Sequence, residues 1–181
     1  MILESKNILL KNGETAILRS PGPEDAAQML ENLKTTAAET DFMLRYPEEC
    51  TMTTAQEVDF LQGIIASPNQ LMILCEINGQ IVGNCYLSFQ PFIKTRHRGY
   101  VAMGIVKAHW NKGIGTAMFR ELFDFASKCR ITQLELDVIE GNDRAMALYE
   151  KMGFRIAAEK PDAIRLKDGT MLSEFFMIKK L

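Results

Sequence analysis

Residues 100–115, YVAMGIVKAHWNKGIG, decide the fold. The first seven are almost wholly apolar, which predicts a buried strand over 100–106. Lys107, Ala108, His109, Trp110, Asn111 and Lys112 make a short turn, and Gly113-Ile114-Gly115-Thr116 opens an amphipathic helix that ends near Lys128. Ile114, Ala117, Met118, Leu122 and Phe125 share its apolar face, while Arg120, Glu121, Asp124 and Lys128 face water. Glycine at 113 and 115 lets the backbone approach a ligand closely, and the free N–H groups of a helix start favour an anion. Lys112 adds a positive charge.

A second strand-to-helix unit follows in residues 133–154, QLELDVIEGNDRAMALYEKMGF. A strand over 133–138 runs into a helix opened by Asn142, a good N-cap, and closed by Gly153, which suits the left-handed position after a helix. Ala145, Leu148, Tyr149 and Met152 share one face of it. Asn142 and Tyr149 lie two turns apart and address the same cleft.

Taken alone, the glycine turn admits three readings: a plain strand-to-helix turn that binds nothing, a dinucleotide fingerprint and a Walker A loop. Glu135 suits the fingerprint, but Met118 stands where a third glycine is needed and the glycines do not follow the strand directly. A Walker A loop is excluded, since no Gly-Lys-Ser/Thr follows at the required spacing.

The 181 residues suit one domain, 1–181, with a substantial core. A net charge of −2 argues against a track for nucleic-acid phosphates and is compatible with a cationic substrate. No apolar run is long enough to span a membrane, and the N-terminus carries no signal-peptide pattern, so a cytoplasmic protein is expected. Cys50, Cys75, Cys85 and Cys129 have no metal-ligand spacing, so no metal site is expected. An Asn78-Gly79 hairpin would pair Cys75 with Val82 and Cys85 with Met72, which leaves those two thiols out of register and reduced.

The rest of the chain supplies an N-terminal strand over 8–20 broken by Asn12-Gly13, a helix from Pro23 to near Thr35, and a second helix opened by a capping box of Thr54 and Glu57. Strands are expected over 70–77, 80–89, 154–159 and 171–178. The order β-α-α-β-β-β-α-β-α-β-β is an α/β chain, a mixed central sheet flanked by helices.

Residues 105–115 resemble the acetyl-CoA-binding motif of the GCN5-related N-acetyltransferases (GNAT), in the branch like the ribosomal-protein alanine acetyltransferases, where a tryptophan matches Trp110. Residues 136–142, Ala145, Leu148, Tyr149, Lys151, Gly153 and Phe154 are similar to that family's second block. The resemblance implies the GNAT fold and acetyl transfer from acetyl-CoA to a small-molecule amine or a protein N-terminus. It also implies main-chain contacts from Ile105 and Lys107 to the pantetheine arm. N–H groups near Ile105 and Val106 would polarise the thioester carbonyl. Trp110, Asn111, Lys112, Gly113, Ile114, Gly115 and Thr116 would wrap the pyrophosphate, Asn142 would meet the pantetheine, and Tyr149 would assist the departing thiolate. Some members have a glutamate base where this chain has Tyr100. His97, Glu135, Glu140 or a water chain are left as the proton acceptor, and a non-catalytic acyl-CoA-binding module is the alternative. Segments 36–53, 91–97 and 161–169 are expected to shape the acceptor pocket, and a homodimer could form through the C-terminal strands.

Overall fold

The computed structural model describes residues 1–181. Along the chain run β1 (Lys6–Leu9), β2 (Thr15–Arg19), α1 (Ala26–Glu39), α2 (Thr54–Ala66), β3 (Gln70–Ile77), β4 (Gln80–Phe89) and β5 (Arg98–Ile105). They are followed by α3 (Ile114–Lys128), β6 (Gln133–Ile139), α4 (Asp143–Lys151), β7 (Arg155–Arg165) and β8 (Met171–Lys180). The sheet has eight strands in the order β1-β2-β3-β4-β5-β6-β8-β7. All neighbours are antiparallel except β5 and β6, which are parallel. This is the mixed α/β architecture expected.

Period-two alternation in β3 divides the core between the two faces of the sheet. Leu71, Ile73 and Cys75 pack with Met118, Phe119 and Leu122 of α3. Met72 and Leu74 pack with Met29 of α1 and with Leu61 and Ile64 of α2. Each face thus buries a continuous apolar layer, the largest favourable contribution to folding.

The parallel pair is where the sheet opens. β5 and β6 pair only at Arg98–Gln133, Gly99–Leu134 and Tyr100–Glu135. Beyond those residues β5 keeps its register with β4 as far as Gly83–Ile105, and β6 keeps its register with β8 as far as Ile139–Glu174. Each strand stays with its outer neighbour, so a wedge opens between them.

Several expectations shift locally. The N-terminal strand is a hairpin, closed by Leu10 donating to the Glu14 carbonyl. α1 runs on to Glu39, past the end expected near Thr35. The capping box lies one residue earlier: Thr53 Oγ1 accepts from the Gln56 N–H (3.3 Å), and Gln56 Oε1 accepts from the Thr53 N–H (2.9 Å). The sequence carries the Ser/Thr-x-x-Glu/Gln spacing in both frames, and the observed one turns Glu57 inward, where it is 5% exposed. In the Asn78-Gly79 hairpin, an irregularity between Cys75 and Glu76 pairs Cys75 with Gly83 and Cys85 with Ile73. All four cysteines are free, and burial pushes the Cys75 thiol up to about 12.

Candidate active site

A cavity of about 650 Å³ fills the wedge between β5 and β6. At one end lies the start of α3. Gly113 has φ 95°, a left-handed conformation that glycine adopts freely, and as N-cap it brings no side chain to satisfy the helix start. None of the backbone N–H groups from Asn111 to Thr116 finds an acceptor in the protein. The first donor in α3 that does is Ala117, to the Gly113 carbonyl (3.1 Å). Consecutive unsatisfied donors at a helix start form a concave site for an anion.

Close packing shapes this cradle. A Cβ on Gly115 would sit 2.7 Å from Leu148 Cδ2 and 3.3 Å from Met103 Sδ, so only glycine lets α3 approach α4 and β5 this closely. The β1–β2 turn braces it from outside: the Lys11 N–H donates to the Lys112 carbonyl (3.0 Å), and Lys11 also lines the cavity.

The expected cofactor residues divide into two groups. Ile105, Trp110, Asn111, Gly113, Ile114, Gly115, Thr116 and Asn142 all line the cavity. Val106, Lys107 and Lys112 do not. The Val106 N–H donates to the Val82 carbonyl (3.0 Å), and the Lys107 N–H donates to Glu39 Oε2 (2.6 Å). Lys112 Nζ is paired with Glu14 (3.0 Å). Because Val106 faces β4, ladder alternation turns the main-chain groups of Ile105 toward the wedge. There the Ile105 carbonyl accepts from Trp110 Nε1 (2.6 Å), and the Arg144 guanidinium stacks 3.1 Å above the indole. Trp110 thereby ties the β5–α3 turn to the start of α4.

Asn142 caps α4 as expected, its Oδ1 accepting from the Ala145 N–H (3.3 Å), which leaves its amide nitrogen free. Tyr149 is 9% exposed and reaches the same cavity. Its ring packs edge-on against Phe119, with centroids 5.8 Å apart. Its hydroxyl has no hydrogen-bond partner in the protein, and burial raises its pKa well above that of a free phenol, with Cys85 and Tyr100 adding to the shift.

The far end of the cavity was not read from the sequence. The Tyr100 hydroxyl donates to Asp137 Oδ2 (2.8 Å). Lys160 Nζ donates to Asp137 Oδ1 and to Glu174 Oε2, both at 2.9 Å. Tyr100, Asp137 and Glu174 all line the cavity. The three side chains considered as proton acceptors lie elsewhere. Glu135 accepts from Gln133 Nε2 (2.6 Å) and pairs with Arg98, Glu140 accepts from the Ser173 N–H (2.8 Å), and His97 does not line the cavity. One signal pointed to Asp137. In QLELDV the even positions are apolar and the odd ones polar, so a strand flanked on both sides in the sheet presents Gln133, Glu135 and Asp137 on one face.

Of the three segments expected around the acceptor, the first, 36–53, lines the cavity through Thr36, Thr40 and residues 42–45, and residues 91–97 do not. The third extends β7 to Arg165, and its turn fastens onto the first: the Lys167 N–H donates to the Tyr46 hydroxyl (3.0 Å), and Lys167 Nζ pairs with Glu48.

Residues 35–154 match the family model described as the acetyltransferase (GNAT) family. Among curated relatives, the N-alpha-acetyltransferase RimI of Mycobacterium tuberculosis is 34% identical over 95 residues, covering 50% of this chain and 56% of that protein. The L-amino acid N-acetyltransferase AaaT of Escherichia coli is 29% identical over 112 residues, covering 60% of this chain and 66% of that one. The chain therefore spans just over half, and just under two thirds, of those two relatives. An acetyltransferase of the GNAT family from Streptococcus pneumoniae has a similar crystal structure, with a TM-score of 0.86 and 28% identity, covering 92% of this chain and 99% of that one.

Proposed function

We propose that this chain, which belongs to the acetyltransferase (GNAT) family, transfers an acetyl group from acetyl-CoA to a primary amine, with both substrates bound at once. The observation that carries this reading is the run of unpartnered N–H groups from Asn111 to Thr116, opening into a cavity that also holds the Tyr149 phenol. Six consecutive donors at a helix start fit a pyrophosphate, and Lys11 adds a cation beside them. The main-chain N–H of Ile105 and the free amide of Asn142 face the wedge, where an extended pantetheine arm would lie. Acetyl-CoA, when bound, supplies the acetyl group already activated as a thioester.

The remaining chemistry falls to side chains. Tyr149 carries its proton at neutral pH, as any phenol does, and burial disfavours the phenolate further, so it is able to donate a hydrogen bond or a proton to sulfur as the thiolate departs. Holding amine and thioester together removes the entropic cost of their encounter. The acceptor enters from the Asp137 end, past residues 42–45, and is a small-molecule amine or a protein N-terminus. Four free thiols fit a reducing cytoplasm. The unpaired edge of β7 is the surface through which a second copy would dock.

Titration calorimetry is expected to show micromolar acetyl-CoA binding to the wild type. Tyr149→Phe is expected to retain that affinity while amine-dependent thiol release falls by about 100- to 10,000-fold in kcat, the range for losing a positioned proton donor. A wild-type protein that binds no acyl-CoA would overturn the proposal.

A further inference from the structure

We propose that Asp137 and Glu174 form the seat for the acceptor's ammonium group, and that Lys160 occupies this seat as the chain's own stand-in. The inference rests on the acetyltransferase reading and extends it to the second substrate.

The geometry is convergent. Asp137 Oδ1 and Glu174 Oε2 come from neighbouring strands, β6 and β8, yet both lie 2.9 Å from one nitrogen, Lys160 Nζ. Tyr100 donates to the other Asp137 oxygen (2.8 Å) and so fixes which oxygen faces that point. The two carboxylates are well shielded, with side chains 15% and 16% exposed, and both line the cavity. Two shielded carboxylates aimed at one point recognise a cation through short charge-assisted hydrogen bonds.

Lys160 itself is a loosely held occupant. It reaches in from the edge strand β7, its side chain is 51% exposed, and it is absent from the cavity wall. Exposed lysine pairs contribute little to stability, and a lysine stem moves aside easily. A second, independent feature marks the same space as a ligand site. Tyr149 is nine-tenths buried as a residue, lines this cavity together with Tyr100, and its hydroxyl has no partner in the protein. An acceptor nitrogen seated near Asp137 therefore lies toward the group assigned to the departing sulfur, and once one of its protons passes to the seat carboxylates its lone pair is free to attack the thioester carbonyl. Phe42 and Met43 line the same cavity, which favours an amine with an apolar neighbour.

The test uses isoamylamine, and a tripeptide amide with a free N-terminus, as acceptors for the intact protein saturated with acetyl-CoA. Asp137→Asn is expected to raise KM for either acceptor more than tenfold, and Glu174→Gln to raise it several-fold. Lys160→Met removes the internal competitor and is expected to lower KM several-fold. Calorimetry should show tighter isoamylamine binding to the CoA-loaded Lys160→Met protein, and an unchanged acetyl-CoA affinity in all three variants serves as the folding control. An Asp137→Asn KM within twofold of wild type overturns the inference, as does a Lys160→Met KM that rises. In either case wild-type turnover would leave the acetyltransferase reading standing, whereas a wild type that fails to bind acetyl-CoA removes both.

Discussion

The two ends of the cavity are built on different principles. The α3 end uses backbone: N–H groups from Asn111 to Thr116 that depend on glycine for their arrangement. The Asp137 end uses side chains from four strands, Tyr100 from β5, Asp137 from β6, Lys160 from β7 and Glu174 from β8. A backbone cradle binds a group common to every acyl-CoA and tolerates change in most of its side chains. A side-chain seat is specific and breaks with a single substitution. Under the proposed function, the difference fits the first end to the constant substrate and the second to the variable one.

The sharpest way to break that contrast is Gly115→Val. A Cβ there meets Leu148 and Met103, and the branched side chain forces α3 away from α4. Overpacking of this kind costs about 2 kcal/mol, which corresponds to roughly a 30-fold weaker acetyl-CoA affinity by calorimetry. The ratio of KM values among different amines should stay constant, because the acceptor end is untouched. A change in amine preference would show that the two ends are not separable.

Arg144→Ala probes the wall between the ends with a smaller effect. Its guanidinium stacks on Trp110, which is bound to the Ile105 carbonyl, so the arginine both fixes the turn and places a cation near the anion cradle. A partly desolvated cation–π contact contributes about 1 kcal/mol, so acetyl-CoA affinity is expected to fall roughly fivefold. The salt dependence of that affinity should also weaken, since one charge has been removed.

These ends also differ in how far the sequence revealed them. The cofactor end is local: Gly113 and Gly115 follow the β5 strand within one short segment, and Asn142 and Tyr149 recur on one face of the next helix. Residue types with few other uses, at fixed short spacing, are legible in a single chain. The acceptor end is not local. Asp137 acquires meaning only because β5 and β6 part after Tyr100 and because β8 inserts between β6 and β7, which brings Glu174 and Lys160 beside it. No short-range pattern encodes that insertion. The α1 terminus is a similar case. Glu39 lies in the helix only because α1 runs past Thr35, and its bond to the Lys107 N–H withdraws a main-chain donor that the motif alone would have offered to the cofactor.

Tyr149, the proposed proton donor, lines the same cavity, and its burial can be measured without any substrate. Its folded pKa is raised, chiefly by desolvation. The protonated phenol is therefore favoured in the folded state, and its contribution to stability is complete below about pH 10, the pKa of an exposed tyrosine. As pH rises past that value the unfolded chain releases the proton while the folded chain retains it, so the contribution is lost progressively until the folded pKa is reached. Tyr149→Phe lacks this proton. Urea unfolding between pH 9 and 11 should therefore show wild-type stability falling more steeply than that of the variant, with the difference approaching about 1.4 kcal/mol per pH unit above pH 10. Tyr86, Cys75 and Cys129 also have raised values that both proteins share and that cancel in the comparison, while Cys85 and Tyr100, which disfavour the Tyr149 phenolate, enter through the Tyr149 shift itself. Parallel curves would mean that the phenol is solvated in the folded protein. The desolvated phenol with its unpartnered hydroxyl would then no longer stand as the proton donor, and the link between the backbone end and the side-chain end would have to be sought in another group.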